Sequence, residues 1–201
     1  MQVKAYTDAV NSFKYQTRYM MFVDIDEFVV TKKHSDSILQ IVESLTKGKN
    51  VGGVALSWLM FGSNGRKVKP NGLVIENYTR RANDAYMNNI KTIANPRLIS
   101  MFVNPHYPIY KYGLSNVNEQ GQRVVASLDY NKSTTRVWVN HYFTKSKEEC
   151  MEKIRKGIAT VGVARTEAIF KERDRNDIYD GTILRYVPNL KKVIDEYQKE
   201  Q

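Results

Sequence analysis

The sequence is short of features that would set it apart from ordinary globular chains. It carries one cysteine, Cys150, which excludes an internal disulfide framework and a cysteine-based zinc cluster and agrees with a reducing compartment. No stretch approaches the roughly 18 consecutive apolar residues of a membrane span. The first residues, broken by Lys4, Asp8 and Lys14, lack the apolar core of a signal peptide. Repeats, low-complexity tracts and linkers rich in proline, glycine or serine are missing, so residues 1–201 read as a single domain of a soluble, cytoplasmic protein. Lysine and arginine never form a block of five or six, and no helix-turn-helix, zinc-finger or RNP-type pattern occurs.

What is present begins with charge. A formal net charge of +10 attracts nucleic acid, anionic lipid or small phosphorylated ligands, and charge alone does not choose among them. Without a nucleic-acid motif, the expectation is no nucleic-acid partner. Val3, Tyr6, Val10 and Phe13 recur at helical spacing, and a strand over Tyr19 to Val23 follows. A helix is expected from Ser37 to Lys47, with Ser35 or Asp36 as N-cap and Gly48 past its end, then a strand from Val51 to Phe61 closed by the turn Gly62 to Gly65. That order is α/β. Further strands are expected over Leu73 to Thr79, Arg97 to Val103, Gln122 to Ala126 and Thr135 to Tyr142. Ser146 and Glu149 form a capping box for a helix that stops at Gly157. A last helix from about Pro188 should turn Leu190, Val193, Ile194 and Tyr197 inward.

The segment Met20 to Val30, "MMFVDIDEFVV", places Asp24, Asp26 and Glu27 in an otherwise apolar run. In an extended strand Asp24 and Asp26 point the same way, about 6.6 Å apart. At that separation two carboxylates repel by about 2–3 kcal/mol in a partly screened setting. Something positive must offset this. The plain account is an ion pair to Arg18, Lys32 or Lys33. The alternative is a divalent cation, because strand ends in α/β folds border ligand crevices and hard oxygen ligands suit Mg²⁺ or Mn²⁺.

"FVDIDEF" resembles the D-x-D segment of GT-A-type glycosyltransferases, in the version shared by glycosyltransferase family 92 and the bacterial glycosyltransferase 2-like group. "WLMFGSNG" (Trp58 to Gly65), "NIKTIANPRL" (Asn89 to Leu98), "NPHYPIY" (Asn104 to Tyr110) and "VNHYFTKSKEECMEKIRKG" (Val139 to Gly157) follow in the order that group shows. The resemblance implies a partial GT-A mixed sheet with flanking helices and a helical C-terminus. It implies Asp24 beside the donor's ribose, and Asp26 with His141 as ligands of Mn²⁺ or Mg²⁺ holding the diphosphate. Glu27 would point to the opposite face and orient the strand end. Lys91, Arg97, Lys145 and Ser146 are the candidate donor-phosphate contacts, although a plain N-cap explains Ser146 equally well. Trp58, Gly62, Ser63 and His106 are the acceptor-side candidates. Here Gly62 or Gly65 needs positive φ, an ordinary hairpin turn is the alternative for that loop, and Trp58, Tyr107 and Tyr110 read equally well as core.

The implied reaction moves a sugar from a nucleotide-diphosphate sugar to the hydroxyl of a saccharide or lipid-linked acceptor, with inversion, in surface-glycan assembly. Glu76, Asp84 and Glu119 are the candidate bases. The chain opens just before the D-x-D strand, so most of the nucleotide-binding half of a GT-A domain is expected to be missing. The exposed faces this would leave predict self-association. A non-catalytic carbohydrate- or nucleotide-binding remnant and a basic membrane-surface or nucleic-acid binder are the alternatives, and the charge also suits peripheral attachment at the inner face of a membrane.

Overall fold

A computed structural model describes residues 2–47, 50–156 and 167–200. In chain order the elements are α1 (Gln2–Phe13), β1 (Met20–Met21), β2 (Glu27–Thr31), α2 (Ile38–Thr46), β3 (Val51–Met60), α3 (Val74–Asn77), β4 (Arg80–Arg81), β5 (Ile90–Ala94), β6 (Ile99–Phe102), β7 (Pro108–Tyr110), β8 (Ser115–Val117), β9 (Arg123–Val124), β10 (Val137–His141), α4 (Lys147–Arg155), α5 (Glu167–Arg173), β11 (Ile178–Tyr179) and α6 (Val187–Lys199). The described residues gather into two compact units, one drawn from 2–47, 50–59 and 85–141, the other from 60–84, 142–156 and 167–200.

The first unit holds a seven-stranded mixed sheet. Its main path runs β1, β5, β3, β10, β2, with β8 beside β3 and β9 beyond β8. The β3–β8 pair is parallel, whereas β1–β5, β3–β5, β2–β10 and β8–β9 are antiparallel. Nine of the ten residues of β3 are buried, as expected of a central strand covered on both faces. Helix α1 lays Val3, Tyr6 and Val10 against Met20, Phe22, Ala94, Ile99, Phe102 and Tyr110. Tyr6 stacks on Phe22 at 4.1 Å, and Phe102 meets both rings edge-on. The Val3, Tyr6 and Val10 part of the apolar side of α1 is therefore packed, with the hairpin β6–β7 supplying the surface, while Phe13 and Val23 lie exposed. Gly52 and Gly53 are glycine for lack of room: a Cβ on Gly52 would collide with the ring of Tyr110, and one on Gly53 with the Tyr110 hydroxyl and the Ile93 carbonyl.

In the second unit β4 pairs with β11, and Phe61 bridges to Arg81. The turn after β3 is bound to the segment around residue 175. Ser63 donates through its backbone N–H and its hydroxyl to Asp174, at 2.6 and 3.0 Å, and the backbone N–H of Asn64 donates to Asn176. Gly65 has φ +74°, as the sequence demands, whereas Gly62 is glycine because a Cβ would strike the carbonyl of Arg175. This loop is anchored by a distant stretch of chain and is no simple hairpin.

Several expectations are corrected. The D-x-D is no strand: β1 ends at Met21, and Ile25 and Asp26 form a turn before β2. Leu73 to Thr79 holds the helical turn α3, because the Glu76 carboxylate accepts the Leu73 N–H at 2.8 Å and closes it. Ser37, not Ser35 or Asp36, caps α2. The C-terminal helix starts at Val187 with Pro188 in its first turn, but Leu190, Val193 and Tyr197 lie exposed rather than inward. Gly48 and Gly157, expected as helix stops, lie outside the described residues.

Candidate functional site

Register puts four side chains on one face of the sheet. Lys91 on β5 lies opposite Leu56 of β3, and Trp58, two residues on, shares the face of Leu56. On the far side of β3, His141 at the end of β10 lies opposite Glu27 at the start of β2. The rings of Trp58 and His141 meet at 4.2 Å. Strands β5 and β2 are separated by β3 and β10, yet Lys91 Nζ lies 3.1 Å from Glu27 Oε2. The ion pair therefore spans the two middle strands.

Lys91 also lies 3.2 Å from Asp24 Oδ2. Its side chain is wholly buried, so desolvation of the ammonium is offset only by these carboxylates. The cation of the acidic turn thus comes from sixty-seven residues downstream, while Arg18 pairs with Glu43. Glu27, expected on the opposite face, is sealed on this one, where its Oε2 also accepts the Asp24 N–H at 2.9 Å. It ties the acidic turn to the strand end. Burial pushes its carboxyl up to about 7 against the pull of Lys91. Its Oε1, and Trp58 Nε1, are buried without a hydrogen-bond partner among the described residues. Asp24 is bridged on its other oxygen by Gln2 at 3.1 Å.

Asp26 takes a different course. It is buried at the apex of the turn, with Oδ1 3.7 Å from His141 Nε2. Two ligands on one Mg²⁺-like ion sit about 3 Å apart when adjacent and about 4 Å when opposed, so this spacing lies within the span of a shared ion. The donor set, one carboxylate oxygen and one imidazole nitrogen, suits Mn²⁺ or Mg²⁺ with its other positions left to water and phosphate oxygens. Among the described residues no group of three or more His, Cys, Asp or Glu side chains is arranged to hold a metal, so a cation at Asp26 and His141 would have two protein ligands at most from this cluster. The residues present fit such an ion.

The acceptor-side candidate His106 joins this cluster. Its Nδ1 lies 3.0 Å from the carbonyl of Ile90, the residue before Lys91. Its ring meets Trp58 edge-on at 5.0 Å. Burial, then the charge of Lys91, hold its pKa below the usual histidine value. His106, Trp58 and His141 form a row of three rings.

The other candidates lie elsewhere. Arg97 is exposed and donates to the Lys14 carbonyl. Glu119 is buried and accepts from Ser133, from the N–H and hydroxyl of Thr135, and from the N–H groups of Arg136 and Val137. Burial works upward on its pKa, but these donors together hold it below the usual value, so it serves the entry to β10. In the second unit, Asp84 is exposed beside Arg81. Glu76 pairs with Lys191 and caps α3, which lowers its pKa. Ser146 is the N-cap of α4, in a reciprocal box with Glu149, and Lys145 before it has φ +50°. Gly62 and Ser63 belong to the anchored turn.

The mixed sheet with its flanking helices fits an α/β glycosyltransferase-like fold. The family model of glycosyltransferase family 92 matches residues 1–160, and the chain belongs to that family. Its donor is accordingly a nucleotide sugar and its acceptor a saccharide. Among curated proteins none matches the chain. No helix among the described residues is long and apolar enough to cross a membrane.

Proposed function

We propose that the chain transfers a sugar from a nucleotide-diphosphate donor to an acceptor hydroxyl in a metal-dependent, inverting reaction, and that it serves surface-glycan assembly. The observation that carries this reading is the approach of Asp26 Oδ1 to His141 Nε2, two buried ligands brought together from positions far apart in the chain. Mn²⁺ or Mg²⁺ held by that pair would supply Lewis-acid stabilisation of the departing diphosphate. The protein's own part is positional. Lys91 and Glu27 brace the turn, so that Asp26 is presented on a fixed backbone. Lys91 engages Asp24 and Glu27, and Asp26 is the carboxylate of the motif that approaches His141.

A thermal-shift panel of UDP- and GDP-sugars and the free nucleoside diphosphates, with and without Mn²⁺, tests the reading. Metal-dependent stabilisation that disappears in Asp26→Asn is expected. Equal stabilisation in wild type and variant, or none in either, would refute it.

A further inference from the structure

The transfer requires a base, and none of the carboxylates singled out in the sequence has a free role. Glu76 caps and pairs, Asp84 is bound to Arg81, and Glu119 is saturated by donors. Within the site, Asp24 is held by Lys91 and Gln2, and the side chain of Glu27 is wholly covered. We propose that His106 is the catalytic base, with Nε2 taking the proton of the acceptor hydroxyl; this rests on the glycosyl-transfer reading above.

A carbonyl oxygen only accepts, so the contact of His106 Nδ1 with Ile90 fixes the proton on Nδ1. The lone pair is therefore on Nε2. No hydrogen bond from that nitrogen to a described residue is seen, and the side chain is half-buried rather than sealed. Position agrees with the role. Trp58 meets both His106, at 5.0 Å, and His141, at 4.2 Å, so the base and the diphosphate end of the site border one indole. The charged groups that act on the imidazole are Lys91 and Asp24. Burial and Lys91 both disfavour the imidazolium and keep the ring neutral, and competent, at neutral pH.

The step balances without a further reactant. The acceptor O–H bond breaks and its proton passes to Nε2. The oxygen lone pair forms the new bond to the anomeric carbon, and the old anomeric C–O bond breaks with its electron pair leaving on the diphosphate. The imidazolium then returns its proton to water.

The test has two arms, both on the full chain. In the first, ring-nitrogen NMR across pH reads the tautomer of His106, easily resolved because the chain has three histidines. The proposal expects Nδ1–H with unprotonated Nε2, and a protonation midpoint below 6.5; the opposite tautomer overturns it whatever the activity. In the second, His106→Asn keeps an amide donor for the Ile90 carbonyl but removes Nε2, and His106→Gln serves as a second variant. With a nucleotide sugar from the thermal-shift panel and Mn²⁺, kcat should fall at least about 100-fold. Stabilisation by the nucleoside diphosphate should stay as in wild type, and the acidic limb of the wild-type pH profile should vanish. Variants keeping more than a tenth of wild-type kcat, with that limb intact, would overturn the base while leaving the transferase reading standing. Failure of the wild type to bind any nucleotide would overturn both.

Discussion

Replacing Lys91 by methionine probes the electrostatic design of the site. The substitution preserves length and apolar volume but removes the ammonium that, among the described residues, is held on both Asp24 and Glu27. Breaking a buried pair by deleting one partner costs about 3–5 kcal/mol. Here the upper end is out of reach, because the side chain of Asp24 is 40% exposed and water screens its share. Glu27 can also take up a proton. Its folded pKa of about 7 lies above the ordinary 4.5, so its contribution to stability is complete below about 4.5 and is lost as pH rises through about 7. Lys91 is what restrains that pKa; without it the value climbs further and the loss at high pH deepens. Lys91→Met should therefore cost about 2–4 kcal/mol at pH 8 and no more than about 1.5 kcal/mol at pH 5, where a neutral Glu27 forfeits only hydrogen bonds. Urea unfolding of Lys91→Met, Glu27→Gln and the double variant at both pH values measures the coupling. The double variant should regain most of the pH 8 loss. A cost of Lys91→Met equal at the two pH values, or no coupling to Glu27, would refute this reasoning.

Other consequences are direct. Gly62→Ala drives a methyl into the Arg175 carbonyl and should cost about 2–3 kcal/mol, seen as a lower thermal midpoint, while Gly65→Ala, with open space around it, should cost about 1 kcal/mol for its positive φ. Ser146→Ala removes the cap of α4 and should cost about 1–2 kcal/mol, checked by denaturant unfolding. Glu119 has a depressed pKa, so its contribution is present above the ordinary 4.5 and lost as pH falls through its folded value. Glu119→Gln should accordingly be less stable at pH 7 and flatter in its acid limb than wild type.

The parts of the fold legible in the sequence are those whose signal is local. The spacing of Val3, Tyr6 and Val10 gives α1, the Ser146–Glu149 box gives α4, and the mostly apolar run from Val54 to Phe61 gives β3. Segment 73–79 misleads because Leu73, Val74, Ile75 and Tyr78 carry strand-like composition, while the decisive contact is a single carboxylate folding back on a backbone N–H. Strands of two or three residues, such as β1, β4, β8 and β11, exist only through their partners and leave no periodicity. The same division holds at the site. The resemblance to the family brought Asp26 and His141 forward together. Lys91 inside "NIKTIA" reads as a surface lysine or a phosphate contact, and only the sheet register turns it toward two carboxylates sixty-odd residues earlier. The row of His106, Trp58 and His141 draws on three separate segments, and no spacing within one segment announces it.

The central claim is that Asp26 and His141 share one divalent ion with the donor's diphosphate. Pulsed electron paramagnetic resonance of the Mn²⁺-loaded chain with a nucleoside diphosphate reads that directly. The account predicts nitrogen hyperfine coupling from one imidazole together with phosphorus coupling, the nitrogen signal vanishing in His141→Gln and Mn²⁺ affinity falling in Asp26→Asn. Bound Mn²⁺ that shows phosphorus coupling but no nitrogen, or that binds Asp26→Asn as tightly as wild type, would contradict it.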